Sequence, residues 1–236
     1  MKDLFGKALM DYQNGNYTED IITSTSISDD DILSLPYLFR GFSEMPKLEQ
    51  YALELAKGKV LDVGCGAGNH SLYLQEKGLE VKAIDISKSA ISVAKERGVL
   101  HPEILNILDE TETFDTILLL MNGTGIFQEL KSTTAYLKHL KSLLNPKGQV
   151  LLDSSDIKYM YEDEDSGLDS YRDKIDANSK YYGELDYFIK YKDEYEVPLK
   201  WLYLDFETLN SACKTVGLQC ELVINGEHFD YLAKLS

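Results

Sequence analysis

The chain has few cysteines, a deficit of cationic side chains and no long apolar run. Its three cysteines, Cys65, Cys213 and Cys220, make no C-x-x-C pair and no disulfide framework. That fits a reducing compartment and roles as small buried apolar residues. Lys and Arg number 24 against 40 Asp and Glu, a net charge of −16. Such a surface repels phosphate backbones and anionic bilayers, and no Lys/Arg cluster marks a basic groove. Neither nucleic acid nor a membrane is therefore expected as a partner. The longest wholly apolar stretch, Ile117 to Met121, is far too short to span a bilayer. Residues 1–7 lack the apolar core of a secretion signal. Together these features predict a cytoplasmic protein. What remains is ordinary globular composition, 44% hydrophobic and 27% charged, which excludes disorder as the state of the whole chain. A length of 236 residues suits one large domain, or one domain with an inserted cap.

Patterning divides the chain. Leu4, Ala8, Leu9 and Tyr12 have the spacing of a short amphipathic helix, broken by Asn14-Gly15-Asn16. Thr18 to Asp31 is polar and reads as a loop or a mobile segment. Pro46 opens a helix whose apolar stripe is Leu48, Tyr51, Ala52 and Leu55. Strands and helices then alternate: strands at Lys59–Val63, Glu80–Ile84, Glu103–Ile107, Phe114–Leu120 and Gln149–Leu152, with helices at Ser71–Lys77, from Ser87 to about Arg97, and at Thr133–Leu144. Ser87 is a good helix cap, and Asn145 to Gly148 reads as a turn. Alternation of this kind means βαβ units, hence a doubly wound α/β sheet. Residues 150–196 carry 14 acidic and 6 basic side chains, and nine of the 16 tyrosines lie between Tyr159 and Tyr203. Leu185 to Tyr191 alternates with period two, and Trp201 to Leu204 could pair with it as an antiparallel insert. A helix at Phe206–Val216 and a hairpin turning at Asn225-Gly226 close the chain. The expected division is therefore an N-terminal helical or lid segment (1–57), a core (58–155 and 205–236) and an acidic, tyrosine-rich cap (156–204).

The most informative run is Asp62-Val63-Gly64-Cys65-Gly66-Ala67-Gly68, between the first strand and first helix of the core. Glycines there let a ligand approach the backbone closely. The nicotinamide fingerprint would need its third glycine at position 69, which is Asn69. Asp62 disfavours a bare pyrophosphate and favours a ligand that bears positive charge. This run resembles motif I of the class I S-adenosylmethionine-dependent methyltransferases, and Asp85 stands where that family bonds the ribose hydroxyls, a role suited to a carboxylate acceptor. The runs Leu118 to Gly125 and Leu151 to Asp156 resemble a bacterial, small-molecule-type branch of the same class.

The resemblance implies a mostly parallel seven-stranded sheet with an antiparallel closing hairpin, S-adenosyl-L-methionine as cofactor and S-adenosyl-L-homocysteine as product. It implies cofactor contacts from Asp62, Gly64, Cys65, Gly66, Gly68, His70, Asp85, Ile86, Asn106, Ile107, Met121 and Asn122, with Arg40 gripping the cofactor's carboxylate. Asn106 departs from the acidic residue common at its position, and Asp109 competes for the role. Methyl transfer is in-line displacement from a cofactor that already carries its leaving group, so alignment does most of the work. Asn122 could orient an acceptor, though it is also a good turn former. His228, two residues from Asp230, could form a base, or merely a polar pair in the hairpin. Tyr37, Phe39, Asp153, Asp156 and Tyr159 are candidates for the pocket of a small-molecule acceptor, with Tyr161, Tyr181, Tyr182 and Trp201 behind them. Asp153 and Asp156, with Glu162 to Asp165, could attract an amine, although no ligand geometry marks a metal site. Two alternatives stay open at this stage: an aminopropyltransferase-like enzyme, and a non-catalytic nucleoside-binding protein.

Overall fold

The computed structural model describes residues 2–161 and 180–236. Its main sheet has seven strands: β3 (Lys59–Val63), β4 (Glu80–Asp85), β5 (His101–Ile104), β6 (Phe114–Leu119), β7 (Leu144–Ser155), β11 (Cys220–Asn225) and β12 (Asp230–Leu235). They lie in the order β11-β12-β7-β6-β3-β4-β5. Strands β3 to β7 run parallel; β12 lies antiparallel to both β7 and β11, closing the sheet as a hairpin.

Period-two patterning sorts side chains to the two faces. Val60, Val81, Leu118, Leu151 and Leu232 meet helices α2 (Lys47–Leu55) and α3 (Asn69–Glu76), while Ala83 meets α4 (Lys88–Glu96). Leu61, Ile117, Leu119, Val150 and Leu152 meet α5 (Leu130–Ser142) and α6 (Phe206–Val216) on the other face. Each of these buried Val, Leu and Ile side chains contributes about 1.5–3 kcal/mol. Ser87 caps α4 by accepting from the Ala90 N–H at 2.9 Å. Asp205 does the same for α6, and Gly217 ends that helix in the left-handed region.

Three local expectations need correction. The third strand is His101–Ile104, two residues early. Asn145 to Gly148 is not a free turn: β7 begins at Leu144, which pairs with Phe114 ahead of a register shift. The buried side of α2 is Leu48, Glu49, Ala52 and Leu53, whereas Tyr51 and Leu55 are exposed.

A larger correction concerns the N-terminus. Thr18 to Asp31 is not a loop. It contains β1 (Ile21–Thr25) and β2 (Ser28–Leu33), which join β8 (Glu184–Tyr191), β9 (Glu194–Tyr195) and β10 (Leu199–Leu202) in a second, antiparallel sheet ordered β10-β8-β1-β2, with β9 paired to β8. Helix α1 (Leu4–Gln13) packs between this sheet and α4, with Leu4, Ala8, Leu9, Ile21, Ala90, Val93, Ile189 and Tyr191 in one buried cluster. Polar bonds fasten α1 on both sides. Glu196 accepts from the N–H groups of Lys2 (2.8 Å) and Leu4 (3.1 Å), and Asp11 accepts from Tyr191 and Lys192. On the core side, the Ser87 hydroxyl donates to Asp3 at 2.9 Å.

Candidate functional site

The site forms at the carboxyl ends of β3, β4, β6 and β7, where an open parallel sheet leaves a crevice. After β3 the chain turns through Gly64, Gly66 and Gly68, all with positive φ. Gly66 has no heavy atom within 4 Å of where a side chain would start, so its backbone is open to a ligand. At Gly68 a Cβ would lie 2.5 Å from Val99 Cγ2, so glycine is also needed to seat α3 on its neighbour. The N–H groups of Gly64 and Cys65 donate to Ile84 O, which ties the turn to β4. Burial, with the nearby Asp62 and Asp85, pushes the Cys65 thiol far up, so it is no nucleophile at neutral pH.

Asp85 ends β4 directly beside this turn. Its carboxylate accepts from the Gly66 N–H at 3.0 Å and the Ser87 N–H at 2.8 Å. Burial raises its proton affinity, and the two N–H donors oppose that rise. Ile86, the next residue, is 58% exposed, an apolar side chain held at the rim. Asn106 is exposed and bonds the Leu108 N–H at 2.9 Å, which caps the 3-10 turn Ile107–Asp109, and Ile107 is buried beneath it. Leu108 (44% exposed) and Met121 (37% exposed) are further uncovered apolar side chains at this edge. Met121 and Asn122 are consecutive non-glycine residues with positive φ, a strained turn of the kind found at ligand sites. Ser155 Oγ donates to Asn122 Oδ1 at 3.0 Å, leaving the amide NH2 to donate elsewhere.

Beside the glycine turn lies a buried cluster of charges. Arg40 Nη2 pairs with both carboxylate oxygens of Glu49, and His70 Nε2 reaches Glu49 Oε2 at 2.7 Å. On the other side of the ring, Nδ1 stands 4.0 Å from Asp62, whose second oxygen accepts from the Ser71 hydroxyl at 2.6 Å. The Arg40 guanidinium stacks on the Tyr37 ring at 3.8 Å and donates to Tyr37 O. Burial alone would push the Glu49 carboxyl up, but the bond and charge of His70, then Arg40, hold it below its ordinary value. Burial alone would lower the His70 imidazolium, but Glu49 and Asp62 raise it above its ordinary value. Asp153, at the end of β7, is 9% exposed and accepts from the Gly123 N–H at 3.1 Å. Burial pushes its carboxyl up to about 6, with Glu49 adding to the rise and backbone N–H groups and His70 opposing it.

The arrangement brings together most of the residues picked from sequence and separates others. Asp62, Gly64, Gly66, Gly68, His70, Asp85, Met121, Asn122, Tyr37 and Asp153 share this edge. Arg40 is there too, buried and ion-paired with Glu49, with its Nε left without a hydrogen-bond partner. Phe39 turns away into the α1 cluster, against Tyr12 and Arg97. Asp156 takes part in fastening the insert, accepting from the Tyr182 hydroxyl and the Lys158 N–H. Tyr159 stacks on Phe229 at the rim. His228 is exposed in the β11–β12 turn, its own N–H bonded to Asp230. Glu162 to Asp165 lie outside the described residues. Among the described residues no cluster of three or more His, Cys, Asp or Glu could hold a metal ion, and no helix is long and apolar enough to cross a membrane. Glu49 is the residue that periodicity misses. The signal was present: rotating the α2 stripe by one position puts a carboxylate on the buried side.

The glycine turn, the acid ending the second parallel strand and the hairpin-closed seven-stranded sheet define a class I S-adenosylmethionine-dependent methyltransferase. Comparison with known proteins agrees. The model of the methyltransferase domain family matches residues 38–222, and the chain belongs to that family. A solved SAM-dependent methyltransferase from Bacteroides fragilis, in complex with S-adenosyl-L-homocysteine, is 42% identical; the match covers 100% of this chain and 94% of that one, with a TM-score of 0.90. A methyltransferase of Staphylococcus carnosus is 28% identical over 84% of this chain and 86% of its own length. Other curated relatives are matched over less than half their length, among them a ubiquinone biosynthesis O-methyltransferase of Xanthomonas euvesicatoria, 32% identical over 42% of this chain and 44% of that protein.

Proposed function

We propose that the methyl acceptor is a small molecule, held between the carboxyl edge of the main sheet and the second sheet. The observation that carries this reading is the seating of β10 on the turn that follows β6. Trp201 packs on Gly125, and the Thr124 hydroxyl bonds both Leu202 O (2.9 Å) and the Ser154 hydroxyl (2.7 Å). The chain thereby covers its own reaction centre, a geometry that suits a compact acceptor better than a polymer. The net charge of −16 further disfavours nucleic acid.

The residues present fit the cofactor. In this reading the Asp85 carboxylate receives the ribose hydroxyls, and the open backbone at Gly66 lies along the ligand. Ile86, Leu108 and Met121 flank the adenine, with Asn106 at its edge. Arg40 Nε, buried and unpartnered, is left to bond the cofactor's carboxylate. When bound, the sulfonium supplies an activated methyl group and its own leaving group. The chain's task is then alignment and exclusion of water. Asn122 offers its amide NH2 to orient the acceptor, and the Arg40–Glu49–His70 chain holds the floor rigid.

Two measurements test this. Calorimetric titration with S-adenosylmethionine, S-adenosylhomocysteine, decarboxylated S-adenosylmethionine and NAD should show micromolar binding of the first two alone; preference for the decarboxylated form would indicate aminopropyl transfer instead. Incubation of the protein with methyl-labelled cofactor and a fractionated bacterial extract should place the label in the low-molecular-mass fraction. Label confined to protein or RNA would refute the small-molecule reading.

A further inference from the structure

Building on the small-molecule reading, we infer that the acceptor is an amine, and that Asp153 is the residue that binds its nitrogen and takes its proton. Three observations converge. First, Asp153 is a buried carboxylate that forms no ion pair with a Lys, Arg or His among the described residues; it accepts from the Gly123 N–H at 3.1 Å. A buried carboxylate left without a cation is costly unless a ligand brings one. Second, the nearby cations are already committed. The charges of Arg40 and His70 are both spent on Glu49, so an anionic acceptor would meet carboxylates and find no free charge to receive it. Third, an aromatic ring lies near the carboxylate. Tyr37, one face of which carries the Arg40 guanidinium, lies close enough to feel the charges of both Asp153 and Glu49. Such a ring favours a cationic or amine nitrogen over a carboxylate.

The chemistry balances. The acceptor enters as an ammonium paired with Asp153, and its proton passes to the carboxylate, which frees the nitrogen lone pair. That pair forms the N–C bond as the S–C bond breaks, and the electrons of the broken bond remain on sulfur. Asp153 later returns its proton to water. Burial and Glu49 raise the proton affinity of Asp153, which narrows its gap to an ammonium. An alcohol would need a far stronger base than a carboxylate.

The test uses the full chain, 13C-methyl-labelled cofactor and the low-molecular-mass fraction of a bacterial extract, with the product read by 13C NMR. A methyl carbon bonded to nitrogen is expected. Asp153→Asn should lower its rate of formation about 100-fold or more, while S-adenosylhomocysteine affinity changes less than about twofold. A methyl bonded to oxygen, sulfur or carbon would overturn the amine assignment and leave the small-molecule reading intact. N-methyl product formed at full rate by Asp153→Asn would overturn the role of Asp153. Label found only in macromolecules would defeat the underlying reading instead.

Discussion

Replacing Glu49 by Gln is the sharpest perturbation of the buried cluster. The amide keeps the shape and one acceptor oxygen but removes the charge that Arg40 and His70 share. His70 can shed its proton; Arg40 cannot. The variant therefore leaves one buried guanidinium without its counter-charge, a defect that costs about 3–5 kcal/mol when a buried pair is broken. The retained amide oxygen puts the expected loss near the lower end, about 3 kcal/mol. For a chain of this size that is a fall in Tm of about 6–12 °C. The pH dependence follows from the two shifts. The depressed Glu49 carboxyl contributes stability that is present above its ordinary value of 4.5 and is lost as pH falls through its folded value. The raised His70 contributes stability that is fully present below its ordinary 6.5 and is lost as pH rises through its folded value. The gap between wild type and variant should thus be widest between 4.5 and 6.5 and should narrow on the alkaline side. Urea unfolding followed by circular dichroism at about pH 5.5 and about pH 8.5 reads both effects. A loss below about 1 kcal/mol, the level of an exposed pair, or a gap that is the same at both values, would refute the reasoning.

Other expectations are simpler. Asp153→Asn should stabilise the protein while disabling it: a carboxyl pushed up to about 6 from 3.8 costs the folded state about 3 kcal/mol at neutral pH, so differential scanning fluorimetry should show a higher Tm. Asp85→Ala should weaken S-adenosylhomocysteine binding at least about 10-fold, whereas Asp156→Ala, which breaks a bond to Tyr182 on the insert, should change it less than about twofold; equal dissociation constants would sink the ribose assignment. Gly68→Ala forces a Cβ against Val99 at positive φ and should cost about 1–3 kcal/mol in a denaturant melt.

What the sequence disclosed depended on how local the determinant was. The Ser87 cap, the closing hairpin and the glycine turn are each written in a few adjacent residues, and the fold displays all three, although the hairpin turns through Gly226 to Phe229 with Asn225 still in β11. Strands β1 and β2 are different. Ile21 and Ile22 are followed by Thr and Ser, and β2 carries three consecutive aspartates, so no alternating apolar face marks them. They become strands because β8 supplies the missing edge, with Ile22 opposite Lys190. Glu49 was hidden for another reason. Its partners, Arg40 and His70, come from two other segments, and only their meeting turns a helical glutamate into the centre of a charge network. Arg40 was placed at the right edge, but sequence cannot show that a carboxylate of the same chain also pairs with it.

The second sheet also sets a timetable for synthesis. The Tyr191 hydroxyl reaches Asp11 across 180 residues of chain, and β1 finds β8 across a similar interval. At about 5–20 residues per second, the amino-terminal strands leave the ribosome on the order of 10–40 s before their partner exists. The parallel core can begin to order in that time, since its strands follow one another closely. The Asp29–Asp31 run acts as a guard on the outer edge of β2, which stays at the end of the sheet even after β8 has paired with β1, its charge discouraging pairing with a neighbouring nascent chain.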